Sequence, residues 1–262
     1  MKTTSGKQRT KVSFAPLVSL LWLAMLFCGA VTADEAPTGR DFEIETTPLE
    51  LLGEEGAARY RKILDPDDPV SWAVYYPAHA EERLPGVFVY ISPGNSGRID
   101  PRWRRVMDER NLVYIAAHQS GNRVRTNRRM VLAVFALRAL EGHVPFDASK
   151  LHVSGFSGGG RVASLVASQY PEAFTAALFI CGVNFWKKSQ TPSVDRVIQN
   201  RFVFLTGSRD FNLAETRRVH QRYLKAGALN SELMIVPGMG HELPDAAWLT
   251  RALRYLAGEE LD

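Results

Sequence analysis

From residue 70 onward, short runs that are apolar on both faces alternate with segments whose apolar residues recur at helical spacing. Val70 to Tyr76, Pro85 to Ile91, Leu112 to Ala117, Leu151 to Gly155, Phe174 to Cys181, Phe202 to Thr206 and Glu232 to Val236 read as strands. Arg102 to Glu109, Arg128 to Leu140, Gly158 to Gln169, Leu213 to Lys225 and Ala246 to Leu256 read as helices. In the second of these, Met130, Val134 and Leu137 fall at i, i+4 and i+7. Strands without a polar face must be covered on both sides. Alternation with helices therefore predicts an α/β fold: a mainly parallel central sheet with helices on both faces. In such a sheet the loops after the strand carboxyl ends form the ligand site. Residues 34–55 are polar and mixed, and read as an extended arm.

The amino terminus follows a different pattern. Lys2, Lys7, Arg9 and Lys11 precede a charge-free stretch from Phe14 to Val31, which is followed by the small residues of Val31-Thr32-Ala33. This reads as a signal peptide, residues 1–33, cut after Ala33 to release a single domain, 34–262, without a stable membrane span. The product would be exported, to the periplasm or beyond. The other reading of the stretch is an uncleaved anchor, since its length approaches that of a bilayer span.

Removing the leader changes the charge balance. The whole chain carries a formal net charge of +4; taking the leader's four cations from 32 leaves 28 basic against 28 acidic residues. Charge then offers no case for a nucleic-acid partner. Of the two cysteines, Cys28 leaves with the leader and Cys181 remains alone, so no intramolecular disulfide is expected. Cys181 closes an apolar run and reads as a buried core residue.

The candidate chemistry centres on Leu151-His152-Val153-Ser154-Gly155-Phe156-Ser157-Gly158-Gly159-Gly160. Here Gly-x-Ser-x-Gly lies directly after a strand and directly before a helix. A serine in that sharp turn projects its hydroxyl above the sheet, and small flanking residues let strand and helix approach. The Gly158 amide then opens a helix, where it can face a developing oxyanion. No Lys-Ser/Thr follows the glycines, as a phosphate-binding loop requires.

A serine needs a base, and the base needs an orienting carboxylate. Only His220 and His241 follow Ser157; His220 reads as a surface helix residue, whereas His241 lies in a glycine-rich loop after a strand. Asp210 stands just past the Phe202 strand, 53 residues after Ser157, with Asp195 and Asp245 as rivals. The expected set is Ser157 as nucleophile, Asp210 as acid and His241 as base. Ser92-Pro93-Gly94-Asn95-Ser96-Gly97, after an early strand, offers the Asn95 amide as second oxyanion donor. This chemistry calls for no cofactor and no metal.

These pieces, in this order, resemble the α/β-hydrolase superfamily, and within it the secreted esterases grouped with polyhydroxybutyrate depolymerases and feruloyl or acetylxylan esterases. The likeness covers roughly residues 70 to 256 and rests on Ser92-Pro93-Gly94-Asn95, Asp147 to Gly159, Gly207-Ser208-Arg209-Asp210 and Gly240-His241. It implies a two-step acyl transfer through Ser157, Asp210 and His241, with Gly158 and Asn95 as oxyanion donors and a small-molecule or polymer-derived ester as substrate. The chain departs from these esterases at Pro93, where they usually carry a histidine. Two other readings stay open: a serine peptidase on short peptides, because the same triad serves both chemistries, and a non-catalytic binder that kept the fold. Arg123, Arg125, Arg128 and Arg129 read either as an anion-binding loop near the site mouth or as a solvated loop whose Arg128 and Arg129 open a helix; Arg123, Arg125 and Phe156 are the candidate substrate contacts, Phe156 as pocket wall or as core. Phe185 and Trp186 read as pocket wall or as core.

Overall fold

The computed structural model describes residues 39–261 apart from 79, 81, 82 and 187–190. The expected signal peptide lies outside the described residues.

Eight strands form one sheet in the order β1-β2-β4-β3-β5-β6-β7-β8. They are β1 (Arg40–Thr46), β2 (Val70–Tyr76), β3 (Gly86–Ile91), β4 (Leu112–Ala117), β5 (Leu151–Phe156), β6 (Ala176–Ile180), β7 (Arg201–Gly207) and β8 (Ser231–Val236). The pairs β1–β2 and β2–β4 are antiparallel; β4, β3, β5, β6, β7 and β8 run parallel. The helices are α1 (Pro48–Tyr60), α2 (Arg104–Arg110), α3 (Thr126–Glu141), α4 (Gly158–Gln169), α5 (Val194–Gln199), α6 (Leu213–Lys225) and α7 (Ala246–Leu256). A single 3-10 turn, Pro101–Trp103, leads into α2.

Side-chain alternation along the buried strands feeds two core layers. Phe88, Tyr90, Tyr114, Leu178, Val203 and Leu205 pack with Val106, Met107, Leu249 and Leu253 of α2 and α7. The opposite face lies against α3, α4 and α6, which contact β3 to β8. Both faces are covered, as the sequence pattern requires.

The 34–55 arm needs correction. Its described part is an edge strand and the start of a helix. Only Ile44 of β1 is buried, so the strand lacks the apolar run that marks the others. At the head of α1 the Thr47 hydroxyl accepts the Glu50 N–H while the Glu50 carboxylate accepts the Thr47 N–H, a reciprocal cap. Gly53, at φ 69°, kinks that helix.

His152 lies buried in β5, and its Nδ1 has no hydrogen-bond partner. Burial, aided by the Arg110 cation, pushes its pKa down to about 4 from an ordinary 6.5. The unfolded chain therefore takes up a proton that the folded chain refuses. The resulting stability is present above pH 6.5 and is lost as pH falls toward 4, by roughly 3 kcal/mol at most. His152→Val is expected to flatten that part of the stability profile, as read by urea unfolding at pH 7 and pH 4.5.

Candidate active site

The site is assembled at the carboxyl ends of β3, β5, β7 and β8. Ser157 joins β5 to α4 with φ 56° and ψ −119°, a left-handed conformation that a side-chain-bearing residue adopts only under constraint. The constraint comes from both sides. The Ser157 N–H donates to Ile180 O at 2.8 Å. A Cβ on Gly159 would stand 1.8 Å from Ile91 O, and one on Gly155 would stand 2.4 Å from the Gly159 carbonyl carbon. The two glycines are what allow β3, β5 and α4 to close on the turn.

His241 bridges the other two groups. Its Nε2 lies 2.9 Å from Ser157 Oγ, and its Nδ1 lies 2.9 Å from Asp210 Oδ1. Asp210 is 5% exposed. Burial by itself would raise its pKa. Hydrogen bonds from the Asn212 N–H, the Thr206 hydroxyl (2.7 Å), the Cys181 thiol and His241 outweigh that and hold the carboxyl below its ordinary value. An ionised Asp210 accepts the Nδ1 proton, which leaves the Nε2 lone pair facing the serine hydroxyl.

Cys181 is fully buried, as expected, and sits beside the carboxylate. Its thiol is pushed up to about 12, by burial first and by Asp210 second. Cys181, Asp210 and His241 bring ligand atoms within 4.8 Å of one another. A metal would need the thiolate, whereas this thiol is held as a hydrogen-bond donor.

The rival groups face elsewhere. Asp195 lies in the first turn of α5, Asp245 caps α7 through the Trp248 N–H, and His220 points to Ser231 O at 3.2 Å from α6. His220 is half-buried against Phe204, not the solvated residue its neighbours suggested.

Gly158 opens α4, so its N–H has no partner within the helix. Asn95 lies in the loop after β3; its carbonyl accepts the Gln119 N–H at 2.8 Å, and its side chain packs on Gly121. Asn122, which the sequence did not single out, covers the turn: a Cβ on Gly158 would lie 2.1 Å from its Oδ1.

The arginine segment divides. Arg129 is 4% exposed and points inward, donating to Ser120 O at 2.7 Å, Ser92 O at 2.9 Å and Gly158 O at 3.3 Å. Arg128 pairs with Asp68 at 3.4 Å. Arg129 is therefore not available to an external anion, and Arg128 already faces a carboxylate. Arg123 and Arg125 are exposed beside Asn122.

Two phenylalanines flank the imidazole. Phe156 is half-buried with its ring centroid 4.9 Å from that of His241; Phe211, unforeseen from the sequence, lies at 4.1 Å with a 31° tilt. Phe185 and Trp186 instead stack on each other and meet Tyr223 of α6 edge-on, Trp186 buried and Phe185 half-buried. A separate cavity of about 630 Å³ opens at the other end of the sheet, where Arg83, Lys150, His152 and Arg201 line it; it is not the pocket of the serine. Among the described residues no helix is long and apolar enough to cross a membrane.

No family model matches the chain, and none of the curated proteins matches it. Solved structures do. The poly(3-hydroxybutyrate) depolymerase from Bordetella parapertussis aligns over 85% of this chain and 91% of its own, at 15% identity and a TM-score of 0.60. A thermostable esterase aligns over 73% of this chain and 59% of its own, at 16% identity and a TM-score of 0.55. Dipeptidyl peptidase 4 from Porphyromonas gingivalis aligns over 74% of this chain and 34% of its own, at 16% identity and a TM-score of 0.54. The chain thus spans under two thirds of the esterase and about a third of the peptidase. The shared architecture is the α/β-hydrolase fold.

Proposed function

We propose that this chain is an exported serine hydrolase that cleaves carboxylic esters through an acyl-enzyme. The observation that carries the reading is the continuous line from Ser157 Oγ through His241 to Asp210, with 2.9 Å at each step. His241 Nε2 takes the hydroxyl proton as Oγ attacks the carbonyl carbon. The tetrahedral oxyanion is held by the Gly158 N–H and by the Asn95 N–H of the facing loop. The protonated His241 then delivers its proton to the leaving alcohol, and water repeats the sequence to release the acid. A binder that had lost catalysis would be expected to lack one of these groups; all three positions are filled. The depolymerase neighbour, which aligns over 91% of its own length against 34% for the peptidase, supports an ester as the bond cleaved.

Fluorophosphonate labelling followed by peptide mass spectrometry tests the reading. One adduct on Ser157 is expected; an unlabelled protein, or an adduct on another serine, overturns it. Turnover of p-nitrophenyl acetate and methyl ferulate against aminoacyl amides sorts the bond cleaved, and faster amide hydrolysis would make the enzyme a peptidase. Export predicts a secreted form whose first residue is Asp34, read by amino-terminal sequencing.

A further inference from the structure

We infer that Phe211 forms the subsite for the alcohol portion of the substrate, and that this portion is an aryl or arylalkyl group. The inference rests on the esterase reading of Ser157 and His241. Phe211 is 76% exposed, the most open of the exposed large apolar side chains among the described residues. It is nevertheless held in place. On one side of it, the Asp210 carboxylate accepts the Asn212 N–H; on the other, the Asn212 side chain donates to Cys181 O at 2.8 Å. Helix α6 begins two residues later. The ring stands on a tied-down turn with one side against the imidazole at 4.1 Å and the rest in solvent. An aromatic ring left this open at a rigid position gains most by being covered by another apolar surface.

The chemistry decides which half of the ester provides that cover. In acylation, the Oγ–carbon bond forms while the Ser157 proton moves to His241 Nε2. That proton then passes to the ester oxygen as the carbon–oxygen bond breaks, and the neutral alcohol departs. At that moment the alcohol oxygen must lie within hydrogen-bond reach of Nε2. The carbon it carries therefore lies beside the imidazole, within reach of the Phe211 ring. The acyl half stays on Ser157 and extends away from the base. A flat apolar alcohol can stack on Phe211, whereas a methyl group cannot cover it.

The test compares benzyl acetate with methyl acetate. Both give the same acetyl-enzyme, and their alcohols have nearly equal basicity, so the ratio of kcat/KM values reports recognition of the alcohol in the acylation step. The wild-type ratio is expected to favour the benzyl ester by at least tenfold. Phe211→Ala is expected to lower that ratio by about tenfold, and Phe211→Trp to restore it. A ratio unchanged in Phe211→Ala overturns the subsite, including the case in which both esters slow in parallel because the ring only steadies His241. Fluorophosphonate labelling of the wild type separates the two levels. An enzyme labelled at Ser157 whose ratio does not move loses only the subsite; an enzyme not labelled there loses the esterase reading itself.

Discussion

Ser157→Ala is expected to lower kcat on p-nitrophenyl acetate by about a millionfold, and adding His241→Ala is expected to lower it no further. The reason is that the groups act as a unit: without the oxygen nucleophile, the imidazole has no proton to take. Asp210→Asn is expected to cost less, about 10⁴-fold. The carboxylate now accepts the Nδ1 proton at 2.9 Å and so keeps the Nε2 lone pair on the serine side. An amide can instead donate to Nδ1, which moves the proton to Nε2 and turns it toward Ser157. The base is then present, in place and in the wrong tautomer. Single-turnover kinetics with each purified variant, alongside thermal melting to confirm folding, measures both drops. Thr206 and Asn212 also hold the carboxylate, so Thr206→Val is expected to weaken activity in the same sense but less than Asp210→Asn.

The turn that carries Ser157 was legible because its defining signal is local. Five residues, Gly155 to Gly159, specify a strand-to-helix turn that only small neighbours permit, and the close approach of Gly159 to Ile91 O shows why. Asp210 and His241 could be placed beside Ser157 because each follows a parallel strand, buried β7 and the half-buried edge strand β8, and the topology brings those carboxyl ends together. Asp195 and Asp245 failed for the complementary reason, lying on helices where they serve as ordinary first-turn and capping groups.

What escaped the sequence depends on direction rather than residue type. Strand β1 buries one side chain and so shows no apolar period, although Thr47-Pro48-Leu49-Glu50 did carry a capping signal for α1. Arg123 to Arg129 presents four like charges, and nothing in their spacing says that Arg129 turns inward while Arg123 and Arg125 turn out. A clue was available: Arg129 begins an almost continuous buried stretch running to Leu140. Phe211 is the converse, an aromatic residue that stands in solvent while the adjacent Asp210 occupies the inward position.

Arg129→Met is expected to lower kcat/KM about 100-fold, chiefly through kcat, although the guanidinium never touches the triad. Its three hydrogen bonds join the carbonyls of Ser92, Ser120 and Gly158. Those carbonyls belong to the loop after β3, the loop after β4 and the first residue of α4. The two proposed oxyanion donors, Gly158 and Asn95, ride on the first and last of the pieces so joined. Burial lowers the pKa of this guanidinium, and no carboxylate pairs with it among the described residues; the three carbonyl dipoles balance its charge. Methionine is shorter and carries no donor, so the three carbonyls lose the group that ties them together, at about 1–3 kcal/mol for any that is left dry and unpaired. The loops then relax toward water, and an oxyanion donor displaced by even 1 Å stabilises the transition state much less. Arg129→Lys is expected to recover little, since an ammonium cannot span three acceptors in the plane of a fork. Titrating the competent sites with a fluorophosphonate sets the enzyme concentration, so that unfolded protein does not count as lost catalysis. Methylguanidinium added to Arg129→Ala is expected to raise kcat per competent site, a response that loss of global stability alone would not give.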